Sequence, residues 1–233
     1  MLVPDTRSMK APRAMNGRLA RALKLGLGYA EARTLARFGT PEDTQDFVSA
    51  LPTNFEPEGD SCWSVAETLR RGRAHCIEGA FVAACALWLQ GQPPLLMDFQ
   101  AHGDDDHVVA LFRRNHCWGA ISKSNHVWLR WRDPIYRSLR ELALSYFHEY
   151  VIGERKTLRN YSRPFDLRRF DPGLWVTNGT DCWEVAEALD DIRHYPLLTP
   201  AQARRLKPRD AMEVRTGKML QYAAPNAKIA RRY

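Results

Sequence analysis

Two residues of this 233-residue chain have the types and the spacing for covalent chemistry: Cys76 and His107. Cys76 stands at the head of an apolar run, residues 77–91, that reads as a buried helix closed by Gly91. A protonated thiol is a poor nucleophile. The unpaired N–H groups and dipole at a helix start favour the thiolate. Arg71, Arg73 and His75 add positive charge just ahead of it. His107 opens an apolar stretch roughly 30 residues later, where an imidazole would pair with the thiolate and then protonate a leaving nitrogen. Asp104, Asp105 and Asp106 precede it, and carboxylates there would favour its charged form. The other thiols read differently. Cys85 and Cys182 fall on apolar helix faces and are expected to be simply buried, and five cysteines without a CxxC fit reduced thiols better than a disulfide framework.

The elements that must position this pair follow from periodicity and punctuation. Residues 16–37 read as an amphipathic helix, and Thr40-Pro41-Glu42-Asp43 as the capped start of a helix over 41–51. PTNFEPEGD, 52–60, reads as a loop. Ser61 opens a further helix, with Gly72 suited to its left-handed end. Gly79, Ala80, Ala83 and Ala84 are small enough for a sheet to pack closely on the nucleophile helix. Three short strands follow, 94–99, 107–114 and 117–122, the last two joined by a tight turn at Asn115-His116. Residues 127–133 read as a fourth strand or an irregular stretch, 138–152 as a helix, and 153–172 as a loop or lid. Residues 181–193 are expected as a helix capped by Thr180, and 200–216 as a last helix interrupted at Pro208 before a frayed end. A helix followed by hairpin-spaced strands predicts an α+β fold: a nucleophile helix on a small antiparallel sheet, with extra helices at both ends.

On these residues the chain resembles the transglutaminase-like superfamily, relatives of papain, as a divergent bacterial-type member. The likeness runs through Ser61–Leu69, Gly72-Arg73-Ala74-His75-Cys76 and the helix after it, Asp106-His107-Val108-Val109-Ala110-Leu111-Phe112, and Trp118-Gly119-Ala120-Ile121. The resemblance implies a papain-like core with Cys76 as nucleophile, His107 as base, and the Cys76 N–H as an oxyanion donor. It also implies a third residue that orients the base. The family's Asp falls near Ser122, a position that pairing Phe112 opposite Trp118 also brings near His107. Ser122 as a neutral acceptor and Asn125 as a papain-like third residue stand level, with Asp133 behind them. Trp63 and Ser64, just ahead of the nucleophile turn, together with Asp106 and Trp118, are the expected substrate-contacting residues. The implied organisation is a helical segment over 1–52, a core over 53–152, and a helical extension with a basic tail over 153–233.

Composition bounds the alternatives. Apolar residues make up 45% and charged residues 26%, as in a globular protein. No apolar window is long enough to span a membrane, and no signal peptide is read, so the cytoplasm is expected. The net charge of +7 comes from the ends. Six Lys/Arg stand against Asp5 in residues 1–24, and nine against Asp210 and Glu213 in residues 201–233, so the middle is net acidic. The tail has few aromatics and no nucleic-acid module, which makes nucleic-acid binding the weakest reading. No Cys/His pair has structural zinc spacing and no cofactor motif is present. The expected activity is therefore a cysteine-dependent hydrolase acting on a peptide or amide, with an amine transferase behind it. The alternative is an inactive member of the same fold kept as a binding or scaffold module.

Overall fold

A computed structural model describes residues 6–223, with side chains from residue 13 on. Lys228, Arg231 and Arg232 of the basic tail lie outside the described residues. Helix α1 (Thr6–Lys24) and α2 (Tyr29–Ala36) replace the single helix expected over 16–37. Gly26 breaks it: its φ of +90° is open to glycine and strained for other residues. Helix α3 (Pro41–Ala50) starts as expected, with Thr40 and Asp43 capping each other reciprocally. Helix α4 (Val65–Arg71) starts at Ser64, not at Ser61. Residues 61–63 are held extended instead, because their backbone N–H groups go to Glu56, Asp181 and Glu78. Helix α5 (Cys76–Leu89) is buried almost all round, so both of its sides need a partner.

Strands β1 (Leu95–Ala101), β2 (His107–Arg114), β3 (Cys117–Ile121) and β4 (Arg132–Tyr136) follow, then α6 (Leu139–Leu144). Next come β5 (Val151–Ile152), β6 (Arg155–Lys156), β7 (Leu158–Ser162) and β8 (Phe165–Asp166). Helix α7 (Trp183–Asp190), β9 (His194–Pro196), α8 (Pro200–Arg204) and α9 (Ala211–Thr216) complete the described chain. The main sheet runs β4-β3-β2-β1-β7-β9, with β8 also on β1, and every pairing is antiparallel. The protein is thus α+β. Asn115 and His116, both at positive φ, close the β2–β3 hairpin in two residues. That turn sets Phe112 opposite Gly119 and Arg113 opposite Trp118, one step from the expected Phe112–Trp118 pairing.

The period of two along β2 explains the layers. Val108, Ala110 and Phe112 join the cluster around α5, while Val109 and Leu111 join a second cluster with Leu142, Tyr146 and Tyr150 on the opposite face. Full burial of a side chain such as Phe81 or Leu87 contributes about 2 kcal/mol, so α5 is a principal anchor of the fold. Gly79 lets it approach: a Cβ there would collide with Lys123 Cβ, just past β3.

Several expectations fail for identifiable reasons. The helix expected over 138–152 stops at Leu144, because the Arg132 guanidinium takes both the Ser145 hydroxyl and its carbonyl at 2.8 and 3.1 Å. Residues 153–172 supply β6, β7 and β8, not a lid; β7 pairs through its backbone and shows no apolar alternation. Residues 127–129 form a single 3-10 turn ahead of β4. Thr180 bonds Asn178 at 3.0 Å instead of capping α7, whose cap position is Cys182. Among the described residues, no helix is long and apolar enough to cross a membrane.

Candidate functional site

The turn that carries Cys76 is built around a carboxylate that lies inside the expected apolar run. Glu78 is fully buried on the first turn of α5. It accepts from Ser61 Oγ at 2.8 Å, Trp63 N at 3.3 Å, Asn54 Nδ2 at 3.2 Å and His75 N at 2.9 Å. A negative charge at a helix start is favoured by the dipole. Here it also ties the loop before α4 to the turn that carries Cys76. An acidic residue at the third helical position is a capping signal, and that was the clue in the sequence.

Cys76 is the first residue of α5, so its N–H has no partner four residues back. His75 Nδ1 lies 3.9 Å from Cys76 Sγ. Loss of solvent pushes the thiol up, yet hydrogen bonds from His107 and His75 and the charge of both rings more than offset it, leaving Cys76 at about 6. Burial holds Cys85 at about 12 and, with help from Asp181 and Glu78, Cys182 also at about 12. Cys76 is thus set apart from those two thiols by its two imidazoles. Burial would lower His75, but Cys76, Glu78 and Glu56 together carry it up to about 10.

His107 Nε2 is 2.6 Å from Ser122 Oγ, which leaves Nδ1 as the ring nitrogen available to the thiol. Ser122 is held from behind. Gln45 of α3 accepts from Ser122 N at 2.9 Å and donates to Ser122 O at 3.0 Å. Nothing in the local sequence around Gln45 signals this role.

The remaining candidates separate. Asn125 lines the cavity, but its amide is spent on Tyr222: Nδ2 donates to Tyr222 O and Oδ1 accepts from Tyr222 N, both at 2.9 Å. Asp133 accepts from Trp131 Nε1 at 2.9 Å, outside the cavity. Ser122 is therefore the one of the three that touches His107. Trp63 is buried under Arg71 and Arg73, whose guanidinium carbons lie 4.4 and 5.3 Å from its ring centre. Ser64 caps α4 and donates to Asn178 O at 2.7 Å. Trp118 sits at the turn end of the hairpin with Arg113 across its ring, at the far end of β2 from His107. None of these three lines the cavity around Cys76, although Trp63 lines a smaller adjoining pocket that shares Glu56 and Asp60 with it. Asp106 does stand on the rim; it accepts from Ala101 N at 2.9 Å, and partial burial with Asp98 and Asp190 nearby raises it to about 6.

The cavity holds about 780 Å³. Cys76, His75 and His107 line it together with the carboxylates of Glu56, Asp60, Glu149 and the Asp104–Asp106 run. A segment the sequence did not point to also lines it. Arg209 just before α9, Val214 on it, and Gly217, Lys218 and Leu220 after it all take part. Arg209 donates to Gly153 O at 2.9 Å, Leu220 bridges to His126, and Tyr222 is held by Asn125. Among the described residues, no three His, Cys, Asp or Glu side chains are grouped to hold a metal ion. No protein-family model matches the chain, and no curated protein sequence matches it.

Proposed function

We propose that this chain is a cysteine-dependent acyl-transfer enzyme of the transglutaminase-like, papain-like kind, acting first as a hydrolase of a peptide or amide. The observation that carries this reading is the placement of Cys76 at a helix start, with His75 Nδ1 3.9 Å from its sulfur and His107 lining the same 780 Å³ cavity. The thiolate attacks the amide carbonyl, and the oxyanion meets the Cys76 N–H. As the C–N bond breaks, His107 gives its proton to the leaving nitrogen and a thioester remains on Sγ. Neutral His107 then takes a proton from water, whose oxygen attacks the thioester. The C–S bond breaks, the acid leaves, and the thiolate–imidazolium pair returns. An amine in place of water would make the chain a transferase. Unbridged cysteines support a reducing compartment, and we place the protein in the cytoplasm on that ground.

The test is the pH dependence of iodoacetamide labelling at Cys76, followed by a screen of peptide and amide substrates with intact-mass detection of a thioester. Labelling with a midpoint near 6, and a thioester lost in Cys76→Ser, are the expected results. A midpoint at the ordinary thiol value of about 8.5 removes the reading. The second reading, a non-catalytic binding module, draws on Ser122 standing where a carboxylate is expected and on the segment over the cavity. A low labelling midpoint with no thioester from any substrate would favour it.

A further inference from the structure

The thiol has two imidazoles, and their surroundings differ in a way that divides the work between them. We propose that His75 is a positioning residue that stays an imidazolium and holds the Cys76 thiolate, while His107 alone moves the proton. The inference rests on the reading of Cys76 as the nucleophile.

The hydrogen-bond chemistry of the two rings carries it. His75 Nε2 lies 2.7 Å from Ser61 O. A carbonyl only accepts, so Nε2 carries a hydrogen. Beyond the same nitrogen stand Glu56 Oε1 at 3.4 Å and Glu78 Oε1 at 3.5 Å. On its other side the ring turns Nδ1 toward Cys76 Sγ. A ring with two carboxylates on one side and a thiolate on the other is satisfied on every side only when both nitrogens are protonated. Giving up that proton would leave Cys76, Glu56 and Glu78 facing one another without a cation between them. His107 is placed otherwise. Its Nε2 meets the Ser122 hydroxyl, which donates or accepts and carries no charge. A hydroxyl can accept from a protonated Nε2 or donate to a bare one, so this contact survives proton loss, which suits a group that must lose and regain a proton in each cycle. The titratable groups nearest the thiol are His75 at its own helix start, His107 on β2 and Tyr150 from the segment after α6, with Glu78 and Glu56 behind His75; Asp60, Asp104, Asp105, Asp106, Lys123, His126, Glu149, Arg209 and Lys218 line the same cavity.

The Asp-His-Ser and Asn-His-Cys logic of other acyl-transfer sites puts the orienting acceptor behind the base. Here the carboxylates stand behind the second imidazole. The division therefore explains how a neutral Ser122 suffices at His107: the charge that supports the thiolate is supplied elsewhere.

The experiment compares wild type, His75→Gln, Glu56→Gln and His107→Gln by pH-dependent iodoacetamide labelling of Cys76, and by turnover of p-nitrophenyl acetate as an acyl probe. Glutamine keeps a donor for Ser61 O but cannot be charged. We expect His75→Gln to raise the labelling midpoint by about one pH unit, a tenfold loss of thiolate at fixed pH below it. Assayed above the new midpoint, this variant recovers acetate turnover. Glu56→Gln keeps the acceptor for Ser61 N and moves the midpoint the same way by a smaller step. His107→Gln loses turnover at every pH and leaves an acetyl group on Cys76. The proposal is overturned if His75→Gln labels like wild type, or if its turnover stays lost above the midpoint. Should His75→Gln not fold, Glu56→Gln decides alone, and an unmoved midpoint there overturns it. A wild-type midpoint near 8.5 would instead overturn the nucleophile reading itself, which separates the two failures.

Discussion

At the residue scale, the contact that fixes the imidazole nearest the thiol on β2 is His107 to Ser122. A hydroxyl fixes the ring by one hydrogen bond without adding charge. Ser122→Ala should therefore leave the thiolate in place and loosen only the direction of the imidazole. The expected result is an unchanged Cys76 labelling midpoint and about a tenfold fall in acyl-probe turnover, the equivalent of one ordinary hydrogen bond. A labelling midpoint raised by about one pH unit, matching the fall in turnover, would show that Ser122 acts on the thiol and not on the imidazole. Gln45 belongs to the same chain of contacts, since it holds both backbone groups of Ser122 at once.

At the element scale, β9 is pinned to the sheet by a buried pair. His194 Nε2 meets Asp98 Oδ2 of β1 at 2.9 Å. The hydrogen bond that His194 donates to Asp98 raises the imidazole above its ordinary value, against some lowering by burial. A histidine raised in the folded state stabilises fully below its unfolded value of about 6.5, and that support fades as pH rises through the raised folded value. Thermal melting of wild type should accordingly fall from mildly acidic to mildly alkaline pH, and the slope should flatten in His194→Ala. That variant also leaves the Asp98 carboxylate buried without its partner, at a cost of about 3 kcal/mol near pH 6. Parallel melting curves for the two proteins across this range would mean the pair contributes nothing.

At the scale of the whole molecule, residues 209–222 lie across the cavity and are held mainly by polar contacts on Gly153, Asn125 and Ala50. Most of residues 211–221 are exposed, so little apolar burial opposes their release. A chain ended after Pro208 should keep the sheet and α5 while opening the site. Labelling of Cys76 by a bulky maleimide should rise about tenfold, with iodoacetamide labelling much less affected. Equal rates for both reagents in the full and shortened chains would show that the segment does not limit access.

What the sequence determined by itself was local. Thr40 and Asp43 cap α3, Gly72 ends α4, and the apolar run starting at Cys76 makes a buried helix, because each depends on residues within a turn or two. That Cys76 opens a helix and His107 a strand was legible for the same reason: the neighbours of each declare the type of its element. The tertiary structure decided what depends on distant partners. Ser122 and Asn125 were level in the sequence, and only Tyr222, 97 residues away, occupies both ends of the Asn125 amide. Strand β7 was missed because Leu158–Ser162 gains its place from backbone pairing to β1, not from any alternation of its own. The carboxylates behind His75 were equally hidden, since Glu56 comes from a loop and Glu78 sits within an apolar run. Side-chain periodicity reports which face of an element is buried; it carries no record of which distant polar group that face will meet.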